Sequence, residues 1–386
     1  MNYASSANLL RKEEIIIAPY GTHSKDTRGR LFPEEEHSYR GCYQRDKDRI
    51  LHTTSFRRLE YKTQVFVNDE GDYYRTRLTH TLEVAQIGRT LARALGGNED
   101  LAEAICLAHD MGHPPFGHSG EEVLARKMIN HGGFNHNRQT LRIVTKLEKR
   151  YNGFTGLNLS YETLEGIAKH ETEYDTMGDM DFNPDLRGSL EAQIANMADE
   201  TAYSAHDLDD GLRSGLLTLE MVQSLGIWRM ISDSIHFADS KLSDLDRHRF
   251  ITALTALEVD DIVEHSEQMI QKNRIESVSD LVHMPYNIVS NSDMMVGLNR
   301  ELKDFLFNNM YRHYRVVRMS AKADMILSRL FDTFLNNPKL MPAHIQSMID
   351  EKGLEVAICD YIAGMTDQYS IQKFNELFVP GSWQAD

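Results

Sequence analysis

Apolar positions step by three or four along much of the chain, the spacing of one face of a helix. Between Thr79 and Leu95 the residues His80, Val84, Ile87, Leu91 and Leu95 share one side, so His80 belongs to an inward-facing stripe. Leu101, Ile105, Ala108 and His109 repeat the pattern, and Met111-Gly112 followed by Pro114-Pro115 must end that helix. The pair His109-Asp110 therefore falls at a helix C-terminal end. Ser119, with Glu122 three residues later, has the form of a capping box and predicts that the next helix opens there. From Leu190 onward Leu190, Ile194, Met197, Thr201 and Ala205 make one stripe, while Asp199, Tyr203, His206 and Asp207 share the other side. A helix with carboxylates and a tyrosine on one face either meets solvent or lines a polar cleft.

Strand signals are sparse, and the pattern predicts an all-α, mostly α-helical fold. Thr63 to Val67 and Tyr73-Tyr74, separated by Asn68-Asp69-Glu70-Gly71-Asp72, have the pattern of a small β-hairpin. Residues 1–40 carry turn signals without periodicity and read as an N-terminal arm that wraps a neighbour or another subunit. Residues 41–235 then form the core, with a loop-rich acidic stretch at 152–188, and 236–386 a C-terminal helical region packed on it.

Composition narrows the class. The 386 residues carry 58 acidic against 42 basic side chains, a formal net charge of −16, which argues against a surface built for broad nucleic-acid binding. Single-stranded DNA therefore has no support from charge. No apolar run is long enough to span a membrane, and Ile15-Ile16-Ile17-Ala18 is too short for a signal peptide, so a cytoplasmic protein is expected. Cys42, Cys106 and Cys359 form no CxxC and read as reduced, buried thiols. None of the 24 glycines precedes a lysine, which excludes a Walker A phosphate loop. The 17 histidines are unevenly spread: His109, His113, His118, His131 and His136 crowd into a stretch where an even distribution would place about one.

The text His109-Asp110-Met111-Gly112-His113-Pro114-Pro115-Phe116-Gly117-His118-Ser119-Gly120-Glu121 concentrates this chemistry. Adjacent His and Asp offer nitrogen and oxygen to one cation. Alone, such a pair is usually a histidine bonded within a turn. An inward-facing His80 before it, the polar face bearing Asp199 after it, and the histidines just downstream together point to a metal site with a catalytic shell. His118 and Glu121, three apart at a helix start, can share one face. Charge supports an anionic ligand locally: between Arg40 and Val67 seven basic residues, including Arg58 and Lys62, outnumber three acids.

These motifs resemble the HD-domain metal-dependent hydrolases, and within them the bacterial deoxynucleoside triphosphate triphosphohydrolases, or dGTPase-like proteins. The similarity runs densely from about residue 25 to 210, through Gln44 to His52, Phe56 to Val65, Arg75 to His80, Phe134 to Gln139 and Ala198 to Tyr203, with a weaker echo from Tyr311 to Arg318. It implies an HD-domain helical bundle that hydrolyses dNTPs, dGTP among them, to deoxynucleoside and inorganic triphosphate. It implies that His80, His109, Asp110 and Asp199 hold one divalent ion per subunit, Mn²⁺, Mg²⁺ or Fe²⁺ by donor type. His118 and Glu121 match residues implicated directly in catalysis, and His136 matches one near the leaving oxygen, a general acid. Arg77 resembles the α-phosphate arginine, and Arg58 and Lys62 are candidates for the other phosphates. Gln64 matches a contact to the deoxyribose 3′-hydroxyl, Asp207 its acidic partner, and Tyr203 an aromatic that would clash with a ribose 2′-hydroxyl. A homo-oligomer, plausibly a hexamer, with activator dNTPs between subunits is also implied.

Overall fold

The computed structural model of the chain describes residues 6–64, 75–170, 182–232 and 243–380. They are helical, with no strand among them and only isolated bridges, one of which joins Thr63 to Thr76. Residues 65–74, where the hairpin was expected, lie outside the described residues. No helix among the described residues is long and apolar enough to cross a membrane.

The inner layer is built from the helices Cys42–Leu51, Arg77–Leu95, Glu99–Ala108 and Leu190–Arg213. Their stripes meet in one apolar cluster that includes Ile50, Val84, Leu91, Leu101, Ile105, Ile194 and Ala198, as the three-and-four spacing predicts. Side-chain caps set the starts: Thr76 accepts from the Thr79 amide, Asn98 from Leu101 and Ser189 from Ala192. A second cluster joins the far end of the Leu190–Arg213 helix to Asp244–Asn273 and Asp293–Leu306. A third packs Val123 and Leu124 of the Gly117–Lys127 helix against Ile326, Leu327 and Leu330 of Tyr314–Asn336 and against Ile358 and Ile362 of Leu354–Ala363. The C-terminal helices thus lie directly behind the histidine-rich segment. All three cysteines are buried and unpaired in disulfides, as expected.

One local expectation changes, at Ser119. The N-terminal segment forms a helix at Ser6–Ile16, and the residues after it bond to the core. Ala18 donates to Gly96 O at 2.7 Å, Thr22 donates its amide and hydroxyl to Glu191, and Arg30 donates to Asp46 and to Asn158 O. The buried carboxylates of Glu191 and Asp46 demand such donors. The helix expected to open at Ser119 begins two residues earlier, at Gly117, with Phe116 in the cap position; the Ser119 hydroxyl instead bonds Ser320 Oγ at 2.9 Å.

Candidate active site

His80 stands in the first turn of the Arg77–Leu95 helix, and Asp199 projects from Leu190–Arg213 beside it: His80 Nε2 lies 2.9 Å from Asp199 Oδ1. His109 and Asp110 open a tight 3-10 turn, His109–Gly112, at the end of Glu99–Ala108, where the sequence places them. That turn is pinned to the His136–Arg142 helix, since the Thr140 hydroxyl donates to His109 O and accepts from the Gly112 amide. Only glycine fits at 112, because a Cβ there would run into the His136 carbonyl.

The His109 ring reports what the cluster suits. Its Nδ1 donates to Cys106 O at 2.6 Å, leaving the Nε2 lone pair directed inward. Nε2 is buried without a hydrogen-bond partner and lies 3.4 Å from Asp110 Oδ1 and 3.5 Å from Asp199 Oδ1. Ligand atoms of His80, His109 and Asp110 all fall within 4.8 Å of one another. Lone pairs facing lone pairs in a dry interior are tolerable only around a positive charge. In a protonated cluster, burial opposes charge on His109, yet Asp110 and Asp199 outweigh it and lift the ring to about 9. Both carboxylates sit well below the ordinary range: burial would raise them, and His109 with its neighbours dominates. The donor set fits a divalent cation with mixed nitrogen and oxygen ligands.

Two further histidines border the cluster. His170 is buried with both ring nitrogens lacking hydrogen bonds, and its Nε2 lies 3.4 Å from Asp199 Oδ2. His206, on the Asp199 face, places Nδ1 3.1 Å from His80 Nδ1 and pairs through Nε2 with Glu83.

Arg77 is fully buried and donates through one terminal nitrogen to Asp110 Oδ2 at 2.9 Å, while its Nε and other terminal nitrogen have no hydrogen-bond partner. Gly117, at φ +57°, leaves room for that guanidinium; a Cβ there would come within 2.7 Å of it. Beyond Arg77 lie His113, His118, Glu121 and His136. Glu121 grips His136 twice, accepting from its backbone amide at 2.8 Å and lying 3.0 Å from ring Nδ1. His118 Nδ1 is farther from Glu121, at 3.7 Å, and its side chain is 47% exposed. Burial would raise the Glu121 carboxyl, but His136 and His118 hold it far below its usual range. His113 stacks on His136 with ring centroids 3.7 Å apart and is kept neutral by burial and by Arg77.

The His118 and Glu121 side chains open into a cavity of about 560 Å³, whose lining includes Gln64, Tyr203, Lys303, Phe307, Tyr311 and Met319. That volume suits a compact, drug-sized or nucleotide-sized ligand. Gln64 Oε1 is buried there without a hydrogen-bond partner. Tyr311 links its hydroxyl to both Tyr203 and Asp207. Burial, opposed by the Tyr311 bond, pushes the Asp207 carboxyl up to about 7.

Of the expected site residues, the structure brings His80, His109, Asp110, Asp199 and Arg77 into one cluster, sets His118, Glu121 and His136 beside it, and gathers Gln64, Tyr203 and Asp207 around the cavity. Arg58 and Lys62 point elsewhere. Arg58 donates to Gly364 O at 2.8 Å. The buried Lys62 ammonium donates to His113 O at 2.5 Å and Ala363 O at 3.0 Å, and burial lowers it to about 7. Lys303, which no local pattern marked, supplies a cation to the cavity wall and pairs with Glu200 at 2.7 Å. His170 was equally unmarked, lying at the end of a short helix, Tyr161–Ala168, in a stretch without long periodicity.

A buried His/Asp cluster contributed by three helices, with a histidine-carboxylate pair at the mouth of an anion-ready cleft, defines an HD-type hydrolase centre. Residues 77–204 match the HD domain, and residues 289–376 match the phosphohydrolase-associated domain. Proteins called "Deoxyguanosinetriphosphate triphosphohydrolase-like protein" are similar over nearly the whole length. The one from Geobacter metallireducens is 49% identical, covering 96% of this chain and 97% of its own. That from Geobacter sulfurreducens is 48% identical over 95% and 96%, and that from Ralstonia pickettii 48% over 94% of each. The chain belongs to this family of deoxyguanosinetriphosphate triphosphohydrolase-like proteins. A solved structure of a hypothetical protein from Aquifex aeolicus aligns over 70% of this chain and 69% of that one at 15% identity and a TM-score of 0.28, too distant to carry an argument.

Proposed function

We infer that this protein hydrolyses deoxynucleoside triphosphates, dGTP or dNTPs generally, to the deoxynucleoside and inorganic triphosphate. The observation that carries the reading is the buried Arg77, tied to Asp110 by one nitrogen and presenting two unbonded N–H-bearing atoms between the His/Asp cluster and the His118-Glu121-His136 group. A guanidinium so held is built to meet an oxyanion. The relatives' name supplies the nucleotide class.

A divalent ion held by His80, His109, Asp110 and Asp199, with Mn²⁺, Mg²⁺ and Fe²⁺ as candidates, would supply Lewis acidity to a phosphate oxygen. Arg77 binds the α-phosphate as charge develops on it. His118, exposed at the cavity mouth, works on the attacking water or on the phosphate. His136, oriented by Glu121 at ring and backbone, donates a proton to the departing 5′-oxygen. Lys303 holds the outer phosphates, so the triphosphate leaves intact. Gln64 and Asp207 bind the 3′-hydroxyl, and Tyr203 excludes a 2′-hydroxyl.

The test is an assay of purified protein with Mn²⁺, each dNTP alone and all four mixed, with products separated by ion exchange. Inorganic triphosphate and a deoxynucleoside in equal amounts support the reading. Turnover confined to another nucleotide class contradicts it.

A further inference from the structure

The phosphohydrolase-associated segment meets the active site at one buried carboxylate that none of the roles above uses. Asp367 begins the C-terminal helix Asp367–Phe378, which the Thr366 side chain caps. Although it is remote in sequence from the histidine-rich segment, its two oxygens hold two separate parts of the site. Oδ2 accepts from the Thr63 amide at 2.9 Å and from the Thr63 hydroxyl, and Oδ1 accepts from the Phe116 amide at 2.9 Å. Thr63 is adjacent to Gln64, and Phe116 caps the helix that carries His118 and Glu121.

Phe116 makes this more than packing. Its φ is +63°, a left-handed conformation that a residue with a bulky side chain rarely adopts without support. It has no side-chain cap of its own, so the Asp367 carboxylate is the partner that satisfies its amide. The left-handed turn at 116 and 117 aims the following helix, and with it His118 and Glu121, at the cavity and lets Gly117 pass Arg77. The same corner carries two more ties: Ala363 O accepts from Lys62, whose ammonium also bonds His113 O, and Gly364 O accepts from Arg58.

We propose that Asp367 is a positioning residue: it sets the distance between the sugar-binding Gln64 strap and the His118-Glu121 helix, and through it the phosphohydrolase-associated segment holds the active site in its working geometry. Asp367 does not itself line the cavity, but both of its partners, Thr63 and Phe116, do. Its effect divides along its two oxygens. The Thr63 arm governs substrate binding through Gln64, and the Phe116 arm governs turnover through His118 and Glu121.

This rests on the dNTP reading for its kinetic part, and a local-exchange readout tests it independently. Full-length wild type, Asp367→Ala, Asp367→Asn and Thr63→Val are compared for steady-state kinetics, Mn²⁺ content and hydrogen–deuterium exchange. Asp367→Ala is expected to lower kcat 10- to 100-fold and raise KM at least fivefold with Mn²⁺ content unchanged. Asp367→Asn, which keeps one acceptor, recovers part of the loss. Thr63→Val leaves the Phe116 bond in place and raises KM while kcat stays within threefold of wild type. Exchange across 113–121 accelerates at least fivefold in Asp367→Ala, and that across 190–205 does not change.

Unchanged protection at 113–121, or kcat and KM both within twofold of wild type in Asp367→Ala, overturns the proposal. If Asp367→Ala does not fold, Thr63→Val decides: a KM equal to wild type overturns it. A wild type that turns over no dNTP refutes the substrate reading instead, and the exchange comparison still settles the role of Asp367.

Discussion

The Glu121 carboxylate holds His136 at two points, its backbone amide at 2.8 Å and its ring Nδ1 at 3.0 Å. A histidine fixed in this way has its ring turned with Nδ1 toward the carboxylate, and stacking on His113 fixes the plane of the ring. Replacing Glu121 with Gln puts an amide where one carboxylate oxygen accepted. We expect kcat to fall roughly 10- to 100-fold with KM changed by less than about threefold, measured by steady-state kinetics on dNTPs. An unchanged kcat would remove this contact from the mechanism.

His118 is nearly half exposed and lacks a short partner, so its removal leaves no cavity and no orphaned buried group. His118→Ala should therefore melt within a degree or two of wild type and retain its metal, yet lose about 10²- to 10⁴-fold in kcat. Loss of metal in that variant would mean that His118 serves the cluster rather than the chemistry.

Metal and turnover should disappear together when the cluster is opened. His109→Ala and Asp110→Ala, stripped with chelator and reloaded with Mn²⁺, are expected to return without bound metal by elemental analysis and without activity. Asp110→Ala also leaves the buried Arg77 guanidinium without its anion, a loss of about 3–5 kcal/mol in folding stability. Full activity in metal-free protein of either variant would sink the metal assignment.

Glu258 gives a pH dependence that is separate from the metal cluster. It is completely buried on the Asp244–Asn273 helix, both carboxylate oxygens lack hydrogen-bond partners, and burial, aided by Glu200, raises its carboxyl well above the usual range. A folded value above the unfolded one favours folding fully at pH below about 4.5, and that contribution is lost as pH rises toward the folded value. Glu258→Gln carries no such proton. Its melting temperature should therefore gain on wild type progressively between pH 5 and 8.5 in a calorimetric series. A difference that stays constant across that range would contradict a buried, protonated Glu258.

Much of this geometry is readable in the chain because it is local. The periodic stripe that carries His80, the Gly112 and Pro114-Pro115 stop after His109-Asp110, and the polar face bearing Asp199 and Tyr203 each lie within one helix or turn, where spacing determines direction. What escaped depends on contacts across the fold. Glu121 sits three residues from His118, so helical spacing pairs them, yet the carboxylate bonds more closely to His136 across an intervening loop. Lys62 lies in a basic island that suggests phosphate, but burial turns its ammonium toward two carbonyls. Ser119 has the letters of a cap, and the start of the helix is decided instead by the left-handed Phe116 and the distant Asp367. His170 and Lys303 reach the site from segments whose patterns say nothing about where they point.

The most direct test of the central claim is hydrolysis of a dNTP in ¹⁸O-labelled water with the position of the label read by ³¹P NMR and mass spectrometry. Attack at the α-phosphorus with departure of the 5′-oxygen predicts a single ¹⁸O on a terminal phosphorus of intact inorganic triphosphate and an unlabelled deoxynucleoside. Label in orthophosphate, in pyrophosphate or in a deoxynucleoside monophosphate would contradict the account.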